Sequence, residues 1–169
     1  ARLLNALLDV SELEVGAIKP RHEIFSVNNI LISIFQSFLP LAKDKELDFR
    51  VVPSSLHVES DPALLERIVG NFMSNAIRYT DKGSVLIGCR RNDSEVSIEV
   101  WDTGCGISEM DQQRIFERFY RVEDSRNRNT GGIGLGITIA ADIINNHGGN
   151  FFLEKSPLGG LRAKIYLPI

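Results

Sequence analysis

Apolar residues recur at helical spacing from the first residue: Leu3, Leu4, Leu7 and Leu8, then Val10, Leu13, Val15 and Ile18, with acidic residues between them. This predicts an amphipathic helix over Ala1 to Ile18, closed by Gly16 and Pro20. With no capping residue ahead of it, the stretch reads as the tail of a longer helix that packs against a partner helix. A second helix is predicted from Val27 to about Lys45, turning Ile30, Ile34, Phe38 and Leu41 inward, with Pro40 expected to kink or shorten it. The period then changes to two. Leu47 to Val52 and His57 to Glu59 read as strands separated by Pro53-Ser54-Ser55. Asp61-Pro62 supplies an N-cap and a first-turn proline for a helix from Pro62 to about Tyr79, which Asp81-Lys82-Gly83 closes.

Beyond it, Val85 to Cys89 and Val96 to Trp101 predict two antiparallel strands joined at Asn92-Asp93-Ser94. Met110 to Tyr120 reads as helix. Glu123 to Gly132 is polar, basic and unpatterned, as expected of a mobile loop. A helix from about Gly136 to Asn146 stops at Gly148-Gly149, and Phe151 to Glu154 with Arg162 to Leu167 form a closing hairpin. The order of elements predicts a two-layer α+β sandwich with one sheet face covered by helices.

Composition narrows the function classes. With 169 residues, 43% of them hydrophobic, the chain can bury one ordinary core. A balance of 19 basic against 22 acidic residues lacks the excess expected of a nucleic-acid binder. Cys89 and Cys105 are too few for a disulfide framework, and neither has a Cys or His at metal-ligand spacing. A reducing, cytoplasmic setting is the expectation, with no signal peptide and no run long enough to span a bilayer.

Three segments carry candidate chemistry. On the helix after Asp61, Asn71 and Asn75 lie four apart, with Arg78 and Tyr79 one turn on, all along one side. Asparagine is a poor helix former, so two of them in mid-helix call for a purpose, and an amide oxygen is a hard neutral ligand suited to Mg²⁺. The plain alternative is that both face water. Asp102-Thr-Gly-Cys-Gly-Ile107 follows a strand, where its glycines allow close approach to a flat ligand and the carboxylate can accept from an exocyclic amine such as adenine's. Alone, it is also a common turn. Gly131-Gly-Ile-Gly-Leu-Gly136 leads into a helix whose free N–H groups favour phosphate, with Arg118, Arg121, Arg126 and Arg128 just upstream. It matches neither the dinucleotide fingerprint nor a P-loop.

In this order the segments resemble the ATP-binding catalytic domain of bacterial sensor histidine kinases. Asn71-Phe-Met-Ser-Asn-Ala-Ile-Arg-Tyr79 is similar to that family's N box, and Asp102 to Ile107 to its first glycine box. Ile115-Phe-Glu-Arg-Phe-Tyr-Arg121 resembles the F box and Gly132-Ile-Gly-Leu-Gly136 the second glycine box. Leu7 to Gly16 resembles the end of the dimerisation helix. The resemblance implies a Bergerat-type fold of the GHKL superfamily, a mixed, mainly antiparallel sheet with helices on one face and a mobile ATP lid. Residues 1–19 would be the end of the dimerisation helix and residues 20–169 the catalytic domain.

Carried over position by position, the resemblance implies that Asn75 ligates Mg²⁺ while Asn71 supports the phosphate and metal site. Arg78 approaches phosphate and Tyr79 borders the nucleotide. Asp102 binds the adenine amine in a slot shaped by Gly104, Gly106 and Ile107. Phe119 and Arg121 come from the F box, with Arg121 toward the γ-phosphate, and Gly132, Gly134, Leu135 and Gly136 form the base of the lid. The sequence departs from the family at Cys105, where proline is frequent, and at Leu161-Arg162-Ala163, where a small hydroxyl residue close to adenine is frequent.

No histidine of the chain fits the phosphoacceptor. His22 precedes an acid but lies just past Pro20 outside any helix, His57 falls in a strand and His147 at a helix terminus. The expected activity is transfer of the ATP γ-phosphate to a histidine on a dimerisation domain outside this sequence, with a response regulator downstream and a homodimeric parent protein. Whether that parent is membrane-anchored stays open. Two other readings remain: a degenerate kinase acting as ATP sensor or docking module, and a clamp-type ATPase. The clamp families carry a glutamate base at the position of Asn71, and an amide cannot act as that base.

Overall fold

The computed structural model describes residues 20–114, 144 and 149–168. The helix expected over residues 1–18, most of the one expected over 136–146, and the segment between 115 and 136 lie outside the described residues.

A short strand, β1 (Glu23–Ser26), runs directly into α1 (Val27–Asp44). The sequence pattern did not reveal β1, whose four residues make no alternation and whose order comes from antiparallel pairing with β3 (His57–Ser60). α1 buries Val27, Ile30, Leu31, Ile34 and Ala42, while Phe38 is only partly buried and Leu41, expected to turn inward, is exposed. Pro40 does not shorten it, contrary to expectation, and the helix runs on to Asp44. Pro40 lies on the exposed side, where water can take up the carbonyl that the missing N–H leaves unpaired.

α1 ends in a Schellman motif. Leu47 N–H donates to Ala42 O and Glu46 N–H to Lys43 O, both at 2.9 Å. Glu46 stands at the left-handed position with φ 56°, where glycine carries no Cβ penalty. Glu46→Gly is therefore expected to raise stability by about 0.5–1 kcal/mol, the left-handed penalty less the entropy that glycine adds to the unfolded chain. Urea denaturation checks this. An unchanged or lower midpoint would mean that the Glu46 side chain contributes more than its backbone costs.

The larger sheet has the order β2-β4-β5-β7-β6, built from β2 (Asp48–Val51), β4 (Ser84–Asn92), β5 (Glu95–Asp102), β7 (Leu161–Pro168) and β6 (Asn150–Lys155). β2 pairs parallel with β4, and every other neighbour is antiparallel, so the sheet is mixed and mainly antiparallel. Register puts Ile87 opposite Val100, and Val100 opposite Ala163, so that one face is apolar across the three central strands. Against that face lies α2 (Pro62–Tyr79), burying Leu64, Leu65, Ile68, Val69, Phe72, Met73, Ala76 and Ile77. Asp61 caps it as expected: one carboxylate oxygen accepts from Leu64 N–H at 3.1 Å and the other from Arg21 N–H at 2.8 Å.

No described helix covers the opposite sheet face, yet Ser97 and Glu99 are buried there. Glu99 accepts from Ser97 Oγ at 3.0 Å and from Trp101 Nε1 at 2.8 Å. The Arg162 guanidinium stacks on the Trp101 indole 4.8 Å from its centre, Arg90 approaches the same ring at 5.7 Å, and Glu154 pairs with both Arg162 and Lys164. Long charged side chains thus close this face in place of helices.

Candidate functional site

Asn71, Asn75, Arg78 and Tyr79 are all partly exposed on α2, while Phe72, Met73, Ala76 and Ile77 between them are buried. The four polar positions form the solvent-facing flank that their spacing predicted, extending over about 12 Å of helix. Lys45 fixes the end of this flank. Its Nζ donates to Ile77 O at 2.8 Å and Arg78 O at 3.0 Å, two carbonyls that the helix itself leaves unpaired. The exposed Asp81, 3.7 Å from the same ammonium, adds little.

The loop that follows Asp102 is pinned to both neighbouring elements. Thr103 N–H donates to Ser84 O at 3.1 Å, and Thr103 Oγ1 accepts from Ser84 N–H at 2.9 Å. Cys105 N–H reaches Tyr79 O at 3.3 Å, tying the loop to the last turn of α2. Gly104 has to be glycine, because a Cβ there would lie 2.3 Å from Tyr79 O and 2.8 Å from Thr80 Oγ1. Gly106 takes a left-handed φ of 68° before the partly exposed Ile107. Helix α3 (Glu109–Arg114) starts just beyond, within the stretch expected to be helical over Met110 to Tyr120, the rest of which lies outside the described residues.

Asp102 is the centre of this arrangement. It is 5% exposed, and its Oδ1 accepts from two backbone donors, Gly104 N–H at 2.9 Å and Leu161 N–H at 3.1 Å. Oδ2 has no hydrogen-bond partner among the described residues. Burial pushes the carboxyl pKa up, against the opposing pull of the Leu161 and Gly104 donors. One oxygen is thus used to fix the group and the other is left to accept from an N–H donor.

Two contributors were not legible in the sequence. The segment Leu161-Arg162-Ala163 stands out in the sequence only for a missing hydroxyl, whereas its contribution is the backbone N–H of Leu161. Gly160 packs so closely that a Cβ would lie 2.3 Å from Asp102 Oδ1 and 2.6 Å from Gly104 N. The Gly159-Gly160 pair was the available signal, and it reads more simply as the hairpin turn that Gly159, at φ 106°, does make. Thr80 is wholly buried beside the loop, and its hydroxyl has no hydrogen-bond partner among the described residues.

Phe119, Arg121, Gly132, Gly134, Leu135 and Gly136 lie outside the described residues, as do Arg118, Arg126, Arg128 and His147. Of the other histidines, His22 stands in non-helical backbone before β1, and His57 lies in β3 with Nδ1 3.2 Å from Ser55 O. Among the described residues no three His, Cys, Asp or Glu side chains gather as a metal cluster, and no helix is long and apolar enough to cross a membrane.

The sequence profile described as "Histidine kinase-, DNA gyrase B-, and HSP90-like ATPase" matches residues 60–169. The sensor-like histidine kinase SenX3 of Mycobacterium tuberculosis is 34% identical over 168 residues, covering 98% of this chain and 41% of SenX3. The signal transduction histidine-protein kinase BaeS of Escherichia coli is 39% identical over 119 residues, 70% of this chain and 26% of BaeS. The chain therefore spans less than half the length of these curated relatives. Among solved structures, full-length ShkA in complex with AMPPNP superposes with a TM-score of 0.82 at 25% identity, over 99% of this chain and 35% of ShkA. The ATP-binding domain of PrrB from Mycobacterium tuberculosis gives 0.69 at 29% identity, over 87% of this chain and 96% of that one. The mixed, mainly antiparallel sheet agrees with these likenesses: the chain belongs to the histidine kinase-, DNA gyrase B- and HSP90-like ATPase family, as the ATP-binding domain of a sensor histidine kinase.

Proposed function

We propose that this domain binds Mg-ATP between the polar flank of α2 and the Asp102 loop and passes the γ-phosphate to a histidine on a dimerisation domain, of which residues 1–19 are the trailing end. The observation that carries the reading is the Asp102 carboxylate, fixed through Oδ1 by two backbone donors with Oδ2 left to accept. It suits the amine of adenine. The triphosphate then runs back along α2 past Tyr79 and Arg78 toward Asn75 and Asn71. An amide oxygen is a fitting ligand for Mg²⁺, which keeps water and phosphate oxygens in its remaining positions, and Asn75 is the residue assigned to it. Arg121 and the glycines Gly132, Gly134 and Gly136, with Leu135 and Phe119, are assigned to the lid. Catalysis of this kind rests on positioning and charge neutralisation more than on covalent chemistry by the protein. The phosphate goes on to a response regulator, and the parent protein works as a homodimer with this domain in the cytoplasm.

The test is to titrate the domain with Mg-ATP and then add a dimerisation domain that carries the acceptor histidine. Binding followed by acid-labile phosphate on the added domain is expected. Absence of binding would sink the reading, binding without transfer in the rejoined protein would leave a nucleotide sensor, and fast turnover without an acceptor would point to the clamp-type ATPase. Asn75→Asp is expected to change the Mg²⁺-dependent part of ATP affinity by at least about tenfold, roughly 1.4 kcal/mol. ADP affinity in EDTA should move much less, and equal effects with and without the metal would remove Asn75 from the metal site.

A further inference from the structure

The two long helices end differently. α1 is closed by its own chain, through the left-handed Glu46 and the backbone donors of the Schellman turn. α2 has no such turn. Its last residue, Tyr79, is followed by Thr80 in extended backbone at φ −108° and ψ 108°, so the chain leaves the helix without folding back over its carbonyls. Three consecutive carbonyls at this end are met from outside the helix instead. Ile77 O and Arg78 O accept from Lys45 Nζ at 2.8 and 3.0 Å, and Tyr79 O accepts from Cys105 N–H at 3.3 Å.

Cys105 belongs to the Asp102 loop, but Lys45 stands in the junction between α1 and β2, which supplies no residue to the proposed pocket. The same junction holds the chain beyond the helix, where Asp48 N–H donates to Gly83 O at 2.9 Å. Residues 77–83 are thus fastened near both ends from one place. Lysine suits the task, because it carries three donors on one charged nitrogen at the end of a long stem, and its charge complements the negative end of the helix dipole. The segment it holds presents Arg78 and Tyr79, both partly exposed. Since α2 has no closure of its own, the direction in which these two side chains leave its last turn depends on the grip of Lys45.

We propose that Lys45 is a positioning residue for ATP binding, fixing from the α1–β2 junction the end of α2 that carries Arg78 and Tyr79. The inference rests on the reading that those two residues face the nucleotide. Lys45 touches no ligand in this arrangement and acts only through the two carbonyls.

The test is calorimetric titration of the chain with Mg-ATP well below its melting temperature. Lys45→Met, which keeps the stem and removes the donors, is expected to bind about tenfold more weakly, as when ligand contacts are displaced and not deleted. Lys45→Arg keeps the charge and can donate to two carbonyls, so it should recover most of the loss. Val58→Ala, a truncation of a buried side chain in β3, controls for lost stability alone and should melt lower with parent-like ATP affinity. Should the methionine variant not fold, Lys45→Gln takes its place, with a shorter side chain, no charge and an expected loss of about threefold. Parent-like affinity in the variant that folds, or a loss no larger than that of Val58→Ala, would overturn the proposal. Failure of the parent chain to bind Mg-ATP would instead overturn the reading of the pocket.

Discussion

Gly160→Ala is expected to reduce adenine-nucleotide affinity by on the order of a hundredfold. The new methyl group would stand 2.3 Å from Asp102 Oδ1 and 2.4 Å from Asp102 O, far inside contact distance. Neither neighbour can yield cheaply, because Oδ1 is held by Gly104 and Leu161 and the backbone of Asp102 belongs to β5. The carboxylate must therefore move by something near an ångström, a displacement that can cost about two orders of magnitude where alignment matters. Overpacking also destabilises, typically by about 1–3 kcal/mol, so binding is to be read well below the melting temperature. Gly70→Ala is a suitable control, since its Cβ would meet Ile34 at 3.7 Å and Phe38 at 3.9 Å in ordinary contact. Parent-like ADP affinity in a folded Gly160→Ala variant would show that the carboxylate is not where recognition occurs.

Asp102→Asn is expected to bind ATP about 10–150-fold more weakly, the equivalent of losing one hydrogen bond to a charged group, about 1.5–3 kcal/mol. The same variant should be more stable than the parent at neutral pH. The amide oxygen can still accept from Gly104 and Leu161, while the burial of a charge is relieved. The pH dependence follows from the direction of the shift. Because the folded carboxyl pKa lies above its ordinary value, Asp102 contributes stability that is fully present below the ordinary carboxylate range and lost as pH rises through the raised folded value. The asparagine variant lacks this dependence, so its advantage in melting temperature should be present at neutral pH and shrink on acidification. An advantage that grows toward acid would mean that the two backbone donors, and not burial, dominate the carboxylate.

What the sequence revealed was local. Asp61-Pro62 and the stripe from Leu65 to Ala76 defined α2 from cap to end, since both signals act within a turn or two of the chain. The alternation in Val96 to Trp101 located β5 for the same reason. The parallel partnership of β2 with β4 was not legible, because nothing in Asp48 to Val51 records that it will lie beside Ser84 to Ile87. The site divides along the same line. Asp102 and Gly104 sit in one short motif and could be read together. Leu161 reaches Asp102 only because the β5–β7 register pairs Trp101 with Arg162, and a backbone N–H leaves no mark in side-chain chemistry. Thr80 is equally silent in the sequence, where a threonine directly after a helix reads as an ordinary terminus.

The Trp101 and Arg162 stack has an optical consequence. Trp101 is the sole tryptophan of the chain, it directly precedes Asp102, and the arginine stacked on it directly follows Leu161. The two strands that grip the carboxylate therefore carry, on their reverse side, a single fluorophore whose immediate electrostatic surroundings are set by how those strands meet. Any ligand that draws Asp102 and Leu161 closer or apart acts on the indole through one peptide unit, so tryptophan emission is expected to report occupancy of the proposed slot with no label to perturb it.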